Sequence, residues 1–314
     1  MPDGATLVTG ASGLIGGWLV RALLDRGERV VVLRRAARGA PAPQGCEVVC
    51  GDVTDAALLE RVVAGHDVAT IFHLAARSIV GIADRAPAAT FATNLVGTWT
   101  VLEAARAAGV RRVVVASSDK AYGRQEDGAP YTEDLPLRPT RPYDVSKAGA
   151  DLIARSYWHT FGLPVATTRF ANVYGGGDPN PSRLIPELVA AALDGRAAHV
   201  RSDGTPERDF LYVEDAVAAY LAIADALDRG PDARGQAFNA GGGRPVSVRE
   251  VVDTVGRVAG APLDARYDPA TASPGDAGRQ WVDTTKIRAV CGWEPRVDLE
   301  EGLRRTLDWY RARR

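Results

Sequence analysis

Lysine is nearly absent from this chain of 314 residues, since only Lys120, Lys147 and Lys286 are found among its 38 basic residues. Arginine supplies the positive charge elsewhere, so we expect lysine to be kept for tasks that arginine cannot perform. The formal net charge of -1 excludes a long-range field that would attract nucleic acid or an anionic membrane. We therefore expect small anionic partners, with no nucleic-acid partner and no membrane partner.

Cysteine and long apolar runs are also scarce. The three cysteines form an odd set, and Cys46 and Cys50 lack the second cysteine pair or the histidines that would complete a zinc site. No stretch approaches the roughly eighteen apolar residues of a membrane span, and the amino terminus lacks the features of a signal peptide. We expect a cytoplasmic protein without a metal site.

The alternation of apolar segments predicts the fold. Short β-rich runs such as ATLVTG and EVVC alternate with helical patterns such as LIGGWLVRALLDRG. Apolar strands separated by amphipathic helices indicate a parallel sheet covered on both faces, hence a Rossmann-like doubly wound α/β domain over residues 1–171. A smaller C-terminal α/β domain for the substrate is expected over 172–314, with part of 207–240 joining the first domain.

A glycine-rich turn lies between the first predicted strand and the first predicted helix, in VTGASGLIGGWL. Glycine lets the backbone turn sharply and approach a pyrophosphate, which then lies on the amide groups at the helix N-terminus. The spacing also fits a plain turn, but its place between strand and helix favours a dinucleotide. The candidate cofactor contacts in this loop are Gly10, Ser12, Gly13, Leu14, Ile15 and Gly16.

The second predicted strand ends in Arg34 and Arg35, where a cofactor without a 2′-phosphate would usually meet an acidic side chain. Two guanidinium groups suit a 2′-phosphate, so the pair favours NADP over NAD. Alternatively, both arginines are solvated and a backbone group meets the ribose of NAD. Asp52 in GDVTD could accept a hydrogen bond from the adenine amino group, or it could cap the next helix.

Tyr143 and Lys147 are four residues apart and would share one face of a helix. A tyrosine becomes a useful base only if its pKa falls from about 10, and a nearby ammonium group favours the phenolate. Arginine is a poorer point charge for this purpose, which explains why lysine is kept at 147. The alternative is an exposed pair on the helix surface.

The combined motifs resemble the extended short-chain dehydrogenase/reductase family, specifically its nucleotide-sugar epimerases and dehydratases. The resemblance rests on the glycine loop, HLAA at 73–76, SSDKAYG at 117–123, Tyr143 with Lys147, RFANVYG and ERDFLYVEDA, and it extends to CGWEP near residue 295. It implies a tightly held nicotinamide cofactor, a nucleotide-diphosphate sugar as substrate and a transient transfer of hydride from a sugar carbon.

The resemblance also implies roles for single residues. Ser118 would hydrogen-bond the sugar 4-hydroxyl, Tyr143 would take its proton, and Lys147 would hold the cofactor ribose. Arginine can bind phosphate through two hydrogen bonds, as expected for Arg208 and Arg279 at the substrate diphosphate, together with Asn172. Further cofactor contacts are expected at Val53, Leu74, Ala75, Ala76 and Asn94, and further substrate contacts at Arg77, Arg183 and Leu184.

Asp119 and Lys120 bear on the type of reaction. A 4-epimerase removes and returns a hydride, whereas a 4,6-dehydratase must also remove the C5 proton and protonate the departing 6-hydroxyl. Our hypothesis makes Asp119 the acid. Lys120 either takes the C5 proton, neutral through desolvation, or stabilises the enolate as a cation. SSDK, ANVYGGGD and RLIP at 183–186 resemble the CDP-glucose 4,6-dehydratase branch, although most dehydratases of the family have glutamate after the aspartate.

Other features leave alternatives open. RDFLYVED is closer to the general epimerase pattern, and Arg77 replaces the glutamine expected after HLAA. A 4-epimerase or a decarboxylase of the same family is therefore the alternative to a dehydratase. A non-catalytic dinucleotide-binding sensor is a third hypothesis, against which the complete set of Ser118, Tyr143 and Lys147 argues.

The resemblance further predicts a homodimer, in which helices near 93–108 and 146–161 pair with their copies in a four-helix bundle. Apolar residues on these helices would form the contact. Packing on the sheet also explains the apolar residues Leu95, Leu102, Leu152 and Trp158.

Overall fold

The computed structural model describes residues 4–35, 43–271 and 278–314. Its strands are β1 (Ala5–Thr9), β2 (Val30–Arg34), β3 (Glu47–Cys50), β4 (Val68–His73), β5 (Arg112–Ala116), β6 (Val165–Phe170), β7 (Asn172–Tyr174), β8 (Ala198–Val200), β9 (Glu207–Arg208), β10 (Phe210–Tyr212), β11 (Ala237–Ala240), β12 (Val246–Ser247), β13 (Ala265–Tyr267) and β14 (Arg279–Gln280).

Its helices are α1 (Leu14–Asp25), α2 (Ala56–Gly65), α3 (Val80–Arg85), α4 (Pro87–Phe91), α5 (Gly97–Ala107), α6 (Pro142–Phe161), α7 (Leu184–Asp194), α8 (Val213–Arg229), α9 (Val248–Ala259), α10 (Thr285–Cys291) and α11 (Leu299–Arg311). A π-helical turn spans Ala92–Val96, and a 3₁₀ turn spans Asp119–Tyr122.

Seven parallel strands form the main sheet, in the order β11-β6-β5-β4-β1-β2-β3. The chain leaves β1 towards β2 and β3 and then returns to place β4 on the other side of β1. Ligands of such sheets bind outside the carboxyl ends of the strands at this switch point. The predicted doubly wound α/β fold is confirmed.

Both faces of this sheet are buried, because successive side chains of each strand point to opposite sides. Leu7 of β1 packs with Ile71 and Val113 in one hydrophobic cluster, which includes residues of α2, α5 and α6. Val8 packs with Phe72 in the other cluster, which includes residues of α1 and α8. This two-sided burial explains why the strands are apolar at consecutive positions.

The second half of the chain contributes a strand to the main sheet and also forms a hydrophobic cluster of its own. Its strand β11 pairs with β6 in the main sheet, while α7, α9 and α11 enclose a separate hydrophobic cluster around Leu188, Val251 and Leu303. Strand β9 lies between β12 and β14, so residues 207–208 meet residues 279–280. The domain boundary at residue 171 stays a prediction.

No helix in the described ranges is long and apolar enough to cross a membrane. The same ranges contain no group of three or more histidine, cysteine, aspartate or glutamate side chains that could hold a metal ion. The cytoplasmic location stays a prediction.

Candidate active site

The glycine loop between β1 and α1 leaves no room for side chains at two of its positions. Gly10 has a φ of 77°, and a Cβ added there would lie 2.6 Å from the backbone nitrogen of Ala75. A Cβ on Gly16 would lie 2.3 Å from the carbonyl oxygen of Gly10. Gly13 is the N-cap of α1 and supplies no side-chain cap. This cradle, which ends at a helix N-terminus, fits the pyrophosphate of a dinucleotide.

The two arginines at the end of β2 have different surroundings. Arg34 is half-buried, and its Nε atom is buried without a hydrogen-bond partner among the described residues, whereas Arg35 is exposed. Asp52 accepts hydrogen bonds from the N–H and the hydroxyl of Thr54, at 3.0 and 2.9 Å. Because the side chain of Asp55 caps α2, the alternative that Asp52 is the helix cap is wrong.

The remaining predicted cofactor contacts lie around the switch point. The N–H of Leu74 donates to the carbonyl of Thr9, and the N–H of Ala75 donates to the Thr9 hydroxyl, each at 3.2 Å. Ala76 is half-buried and Val53 is buried. Leu14 is buried at the start of α1, Ile15 is half-buried, and Ser12 is exposed on the loop.

Asn94 connects the segment after β4 to helix α6. Its Oδ1 accepts from the N–H of Arg77 at 2.8 Å, and its Nδ2 donates to the Arg77 carbonyl at 3.2 Å and to the Ser146 hydroxyl at 2.8 Å. Ser146 in turn donates to the carbonyl of Tyr143 at 2.6 Å. The buried amide of Asn94 thereby fixes the position of two site segments. It lies in the π-helical turn, a distortion that often accompanies functional sites.

Tyr143 and Lys147 are both buried on α6. Lys147 Nζ donates to the carbonyl of Ala116 at 2.8 Å, and burial lowers the lysine pKa to about 8. Burial raises the pKa of Tyr143 to about 12, against the lowering effects of the Arg183 charge and of a hydrogen bond with Ser118. The pKa of Tyr143 is therefore raised by loss of water, and the lowering expected from the Lys147 charge is not found.

His73 lies near Lys147 and was noted in the sequence only as part of HLAA. Its Nδ1 is 2.8 Å from the Thr9 hydroxyl, and its Nε2 is 3.1 Å from the Thr98 hydroxyl. Burial, and then the charge of Lys147, lower the histidine pKa to about 3, so the ring is neutral. Thr98 is distant in sequence, and no local spacing reveals this contact.

Asp119 and Lys120 lie in the 3₁₀ turn that follows β5. The Ser118 hydroxyl accepts from the N–H of Lys120 at 3.2 Å and donates to Asp119 Oδ1 at 3.1 Å. Asp119 is 2% exposed, and its Oδ2 has no hydrogen-bond partner among the described residues. Lys120 Nζ lies 3.8 Å from this Oδ2 and donates to Oε1 of Gln280. A buried carboxyl group and an amino group are thus side by side next to Ser118.

Asp144 is a further acidic group of this site, directly after Tyr143 on α6. Burial raises its pKa to about 6, against the lowering charges of Lys120 and Arg141, while the charge of Asp119 raises it further. Asp144 was not predicted from the sequence as a site residue. Its proximity in sequence to Tyr143 was the available signal, but spacing alone does not show that Lys120 is also near.

Asp209 is a buried acid near Asp119 that was not predicted from the sequence. Its carboxylate accepts from the N–H groups of Gly242 at 2.7 Å and Val282 at 3.3 Å. Burial raises its pKa to about 7, and the charge of Asp119 acts in the same direction. Asp209 thereby connects the loop after β11 to the segment after β14.

The predicted diphosphate contacts lie on the β9 side of the site. Arg208 is buried and donates to the carbonyl of Glu207 at 2.7 Å, whereas Arg279 is half-exposed and bound to the Glu207 carboxylate. Asn172 donates to the carbonyl of Asp209 at 3.1 Å. Closure of Arg279 over a diphosphate stays a prediction.

Arg183 is the N-cap of helix α7, and Leu184 is the first residue of the helix. Arg183 Nη1 lies 3.2 Å from Oδ2 of Asp178, and its charge reaches Tyr143. Leu184 is half-buried. Nε of Arg77 donates a hydrogen bond to the Thr93 hydroxyl at 3.4 Å. The roles of these residues as substrate contacts stay predictions.

A loop shaped for a pyrophosphate and a buried serine, tyrosine and lysine share one edge of a Rossmann-like sheet. This arrangement defines a dinucleotide-dependent enzyme that moves hydride and protons. Residues 6–241 match the NAD dependent epimerase/dehydratase family, and the chain belongs to it. The predicted family, the assignment as an enzyme and the nicotinamide dinucleotide as cofactor class are confirmed.

Relatives named as 4,6-dehydratases and relatives named as 4-epimerases both resemble the chain along nearly its whole length. It is 37% identical to a dTDP-glucose 4,6-dehydratase of Streptomyces griseus, with 98% of this chain and 94% of the relative covered. It is 35% identical to a UDP-glucose 4-epimerase of Mycolicibacterium smegmatis, with 98% of both chains covered. A solved dTDP-glucose 4,6-dehydratase of Streptomyces venezuelae with NAD bound has a TM-score of 0.86, 34% identity and coverage of 98% and 97%.

Proposed function

We propose that the chain is a nucleotide-sugar 4,6-dehydratase, which oxidises a hexose at C4, eliminates water across C5 and C6 and returns the hydride to C6. The observation that carries this proposal is the buried Asp119 carboxyl group, whose Oδ2 accepts no hydrogen bond from the described residues and lies 3.8 Å from Lys120 Nζ. Elimination of water needs an acid and a base on neighbouring positions, and a 4-epimerase needs neither. The relatives named 4,6-dehydratases support the same reaction.

At C4, Tyr143 takes the proton of the 4-hydroxyl, to which Ser118 also hydrogen-bonds. The bound nicotinamide supplies the hydride acceptor at C4 and the hydride donor at C6. Lys147 holds the cofactor ribose, and Asn94 fixes the helix that carries Tyr143. The positive charge of Arg183 favours the phenolate, which is the form in which Tyr143 can accept the 4-hydroxyl proton.

At C5 and C6, Asp119 and Lys120 work as one pair. With the pair neutral, Asp119 protonates the departing 6-hydroxyl and Lys120 takes the C5 proton, which leaves a carboxylate beside an ammonium group. Lys120 then returns its proton to C5 when hydride reaches C6. The proton that Tyr143 removed from the 4-hydroxyl restores Asp119, so one water leaves and the protons balance.

The alternative function is a nucleotide-sugar 4-epimerase, which the relative from Mycolicibacterium smegmatis favours. Mass spectrometry and nuclear magnetic resonance after incubation with dTDP-, CDP- and UDP-glucose and with UDP-glucuronic acid distinguish these functions. Loss of one water from any of these substrates is the expected result. A new stereoisomer of unchanged mass would overturn the dehydratase in favour of the epimerase, and loss of carbon dioxide from UDP-glucuronic acid would indicate a decarboxylase.

The cofactor that we propose is NADP. The end of β2 carries Arg34 and Arg35 and no acidic residue, and the buried Nε of Arg34 lacks a partner within the described ranges. Guanidinium groups at this position suit a 2′-phosphate. Solved relatives contain NAD, so the cofactor released by denaturing the purified protein decides the question. NADP is expected, and NAD would contradict the proposal.

The assembly that we propose is a homodimer through α5 and α6. Trp99, Leu152 and Phe161 on these helices are 46, 55 and 55% exposed in the single chain. Exposed apolar side chains of this size on two neighbouring helices favour a covered surface. Of the positions considered in the sequence, Leu152 faces outward, whereas Leu102 is buried in the core beside the sheet.

A further inference from the structure

Gln280 is a buried glutamine of β14 that contacts the proposed catalytic pair. Its side chain is 4% exposed, and its Oε1 accepts a hydrogen bond from Nζ of Lys120. The same Nζ lies 3.8 Å from Oδ2 of Asp119. Burying an amide costs free energy unless its donor and its acceptor are both hydrogen-bonded. Gln280 therefore belongs to the surroundings of Lys120, although the two residues are 160 positions apart in the sequence.

The amide of Gln280 is oriented with its oxygen towards Lys120. The Tyr131 hydroxyl donates to the carbonyl of Gly123 at 2.8 Å, which leaves the phenol oxygen free to accept. Burial and then the charge of Asp119 raise the pKa of Tyr131, and a hydrogen bond with the Gln280 side chain acts in the opposite direction. A hydrogen bond that favours the phenolate is one that the phenol oxygen accepts, so the amide nitrogen faces Tyr131. The amide oxygen is left for Lys120.

The backbone holds Gln280 in this place. β14 pairs with β9, where Gln280 lies opposite Arg208, and the Gln280 carbonyl accepts from the N–H of Asp209 at 3.0 Å. The carbonyl of the next residue, Trp281, accepts from the N–H of Tyr131 at 2.9 Å. Gln280 is thus placed by strand pairing, whatever its side chain contacts.

The acceptor that Gln280 presents carries no charge. Two carboxyl groups already lie near Lys120, that of Asp119 in the same turn and that of Asp144 on α6. A carboxylate in place of the Gln280 amide would favour the ammonium form of the lysine, which has no lone pair to take a proton. An amide oxygen binds one N–H of a neutral amine and leaves the lone pair of that amine free.

We propose that Gln280 is a positioning residue for the C5 base, which holds the Lys120 amino group in the direction and in the neutral form in which it takes the C5 proton. This inference rests on the proposed 4,6-dehydratase. In that step the C5–H bond breaks, the proton goes to Lys120 Nζ, and the electron pair forms the C5–C6 double bond as water leaves C6 with the proton of Asp119. Gln280 exchanges no proton, and it accepts from the amino group before and after the transfer.

The test separates oxidation at C4 from loss of water in the full chain. Gln280→Met keeps the length of the side chain and removes the acceptor. The rate of water loss, followed by product mass, should fall by a factor of about 10 to 10², as expected when a reacting group loses a hydrogen bond and shifts by up to about 1 Å. KM and the rate of cofactor reduction by substrate should stay at their wild-type values. Water loss at the wild-type rate would refute the role of Gln280.

A purely structural role of Gln280 predicts a different result. β9, the neighbour of β14, carries the predicted diphosphate contact Arg208, so a variant that only loosened β14 would raise KM and slow the C4 step as well. That result would overturn the proposal. Gln280→Met added to Lys120→Met should lower the residual rate of water loss no further, since the group through which it acts is already absent. A further fall as large as in the single variant would also overturn it.

Gln280→Glu tests the neutral form and serves as the second variant should Gln280→Met not fold. It keeps an acceptor of the same length but adds a negative charge near Lys120, Asp119 and Asp144, which favours the ammonium form. Water loss by this variant should require a higher pH than in the wild type, while the pH dependence of C4 oxidation is unchanged. An unshifted pH profile of water loss would refute the neutral amine.

Gln236→Met is the corresponding control, because Gln236 accepts from Nζ of Lys286 at 2.8 Å in a pair outside the catalytic group. Its rate of water loss should equal that of the wild type, and an equal fall in both glutamine variants would refute a specific role of Gln280. If the wild type releases no water from any nucleotide hexose, the proposed dehydratase fails first. If water loss needs Lys120 but not Gln280, the positioning role fails alone.

Discussion

Lys120 is a residue that the proposed dehydration needs and that an epimerisation does not. Lys120→Met keeps an unbranched apolar side chain but removes the amino group beside Asp119. Because the C5 base is lost, the rate of water loss should fall by a factor of about 10² to 10⁴. The cofactor should still be reduced when the variant is mixed with substrate. Product mass and reduced-cofactor absorbance measure the two steps. Full dehydratase activity in this variant would rule out the role of Lys120.

Lys286→Met is the matched control for this substitution. Lys286 donates to the side chain of Gln236 at 2.8 Å and lies outside the catalytic group. Its replacement should leave water loss unchanged. Equal losses in both variants would point to a general effect of removing lysine on folding.

Asp144 gives stability a specific dependence on pH. Its pKa is raised from an ordinary value of 3.8 to about 6, chiefly by burial, so the native state holds this proton more tightly than the unfolded state. The stabilisation is complete below the unfolded pKa and is lost as pH rises through about 6. Asp144→Asn should therefore raise the melting temperature at pH 7.5 and change it little at pH 3.5.

Asp127→Asn is a control of opposite sign. Hydrogen bonds from the Ala129 N–H and then from Gln125 lower the pKa of Asp127, so its carboxylate stabilises the native state above the unfolded pKa. This substitution should lower the melting temperature at pH 7.5, or leave it unchanged. A stabilisation by both variants would show that loss of net negative charge, and not the burial of Asp144, is the cause.

The residues that the sequence could reveal are those with a local signal. Tyr143 and Lys147 are one helical turn apart, and Asp119 follows a predicted strand and Ser118. Gln280 could not be found in this way, because it reaches Lys120 through the pairing of β9 with β14 across more than 70 positions. The raised pKa of Tyr143 was also out of reach, since burial is a property of the folded chain.

At the scale of elements, the junction of β1 with α1 depends on Gly16. A Cβ at this position would lie 2.3 Å from the Gly10 carbonyl, which is backbone and cannot move aside. Gly16→Ala should therefore abolish the retention of cofactor or the folding of the protein, measured by cofactor content and circular dichroism. Gly65→Ala on α2, where nothing lies within 4 Å of the added Cβ, should retain the cofactor fully. Normal cofactor content in Gly16→Ala would contradict the proposed cradle.

The main sheet was predictable because its strands are long enough to show a pattern and are buried on both faces. The small sheets were not, because β9, β12 and β14 contain two residues each and their pairing is set by the packing around them. The site lies where these short strands meet the main sheet. The sequence therefore predicted the cofactor half of the site better than the substrate half.

At the scale of the whole molecule, the exposed apolar face of α5 and α6 should form the dimer contact. Leu152→Glu places a charge on that face and should convert a dimer into a monomer of 33.3 kDa at micromolar concentration, measured by light scattering. Val48→Glu on the edge strand β3, where Val48 is 42% exposed, should leave the dimer intact. A wild-type protein that is already monomeric would contradict the proposed assembly.

The path of the C4 hydrogen tests the dehydratase most directly. The wild-type protein is incubated with a nucleotide hexose that carries deuterium at C4, and the product is analysed by mass spectrometry and nuclear magnetic resonance. We expect a product that has lost one water and carries the deuterium at C6, because Asp119 and Lys120 eliminate water while the hydride is held. A product that keeps the water and carries the deuterium at C4 would contradict this account.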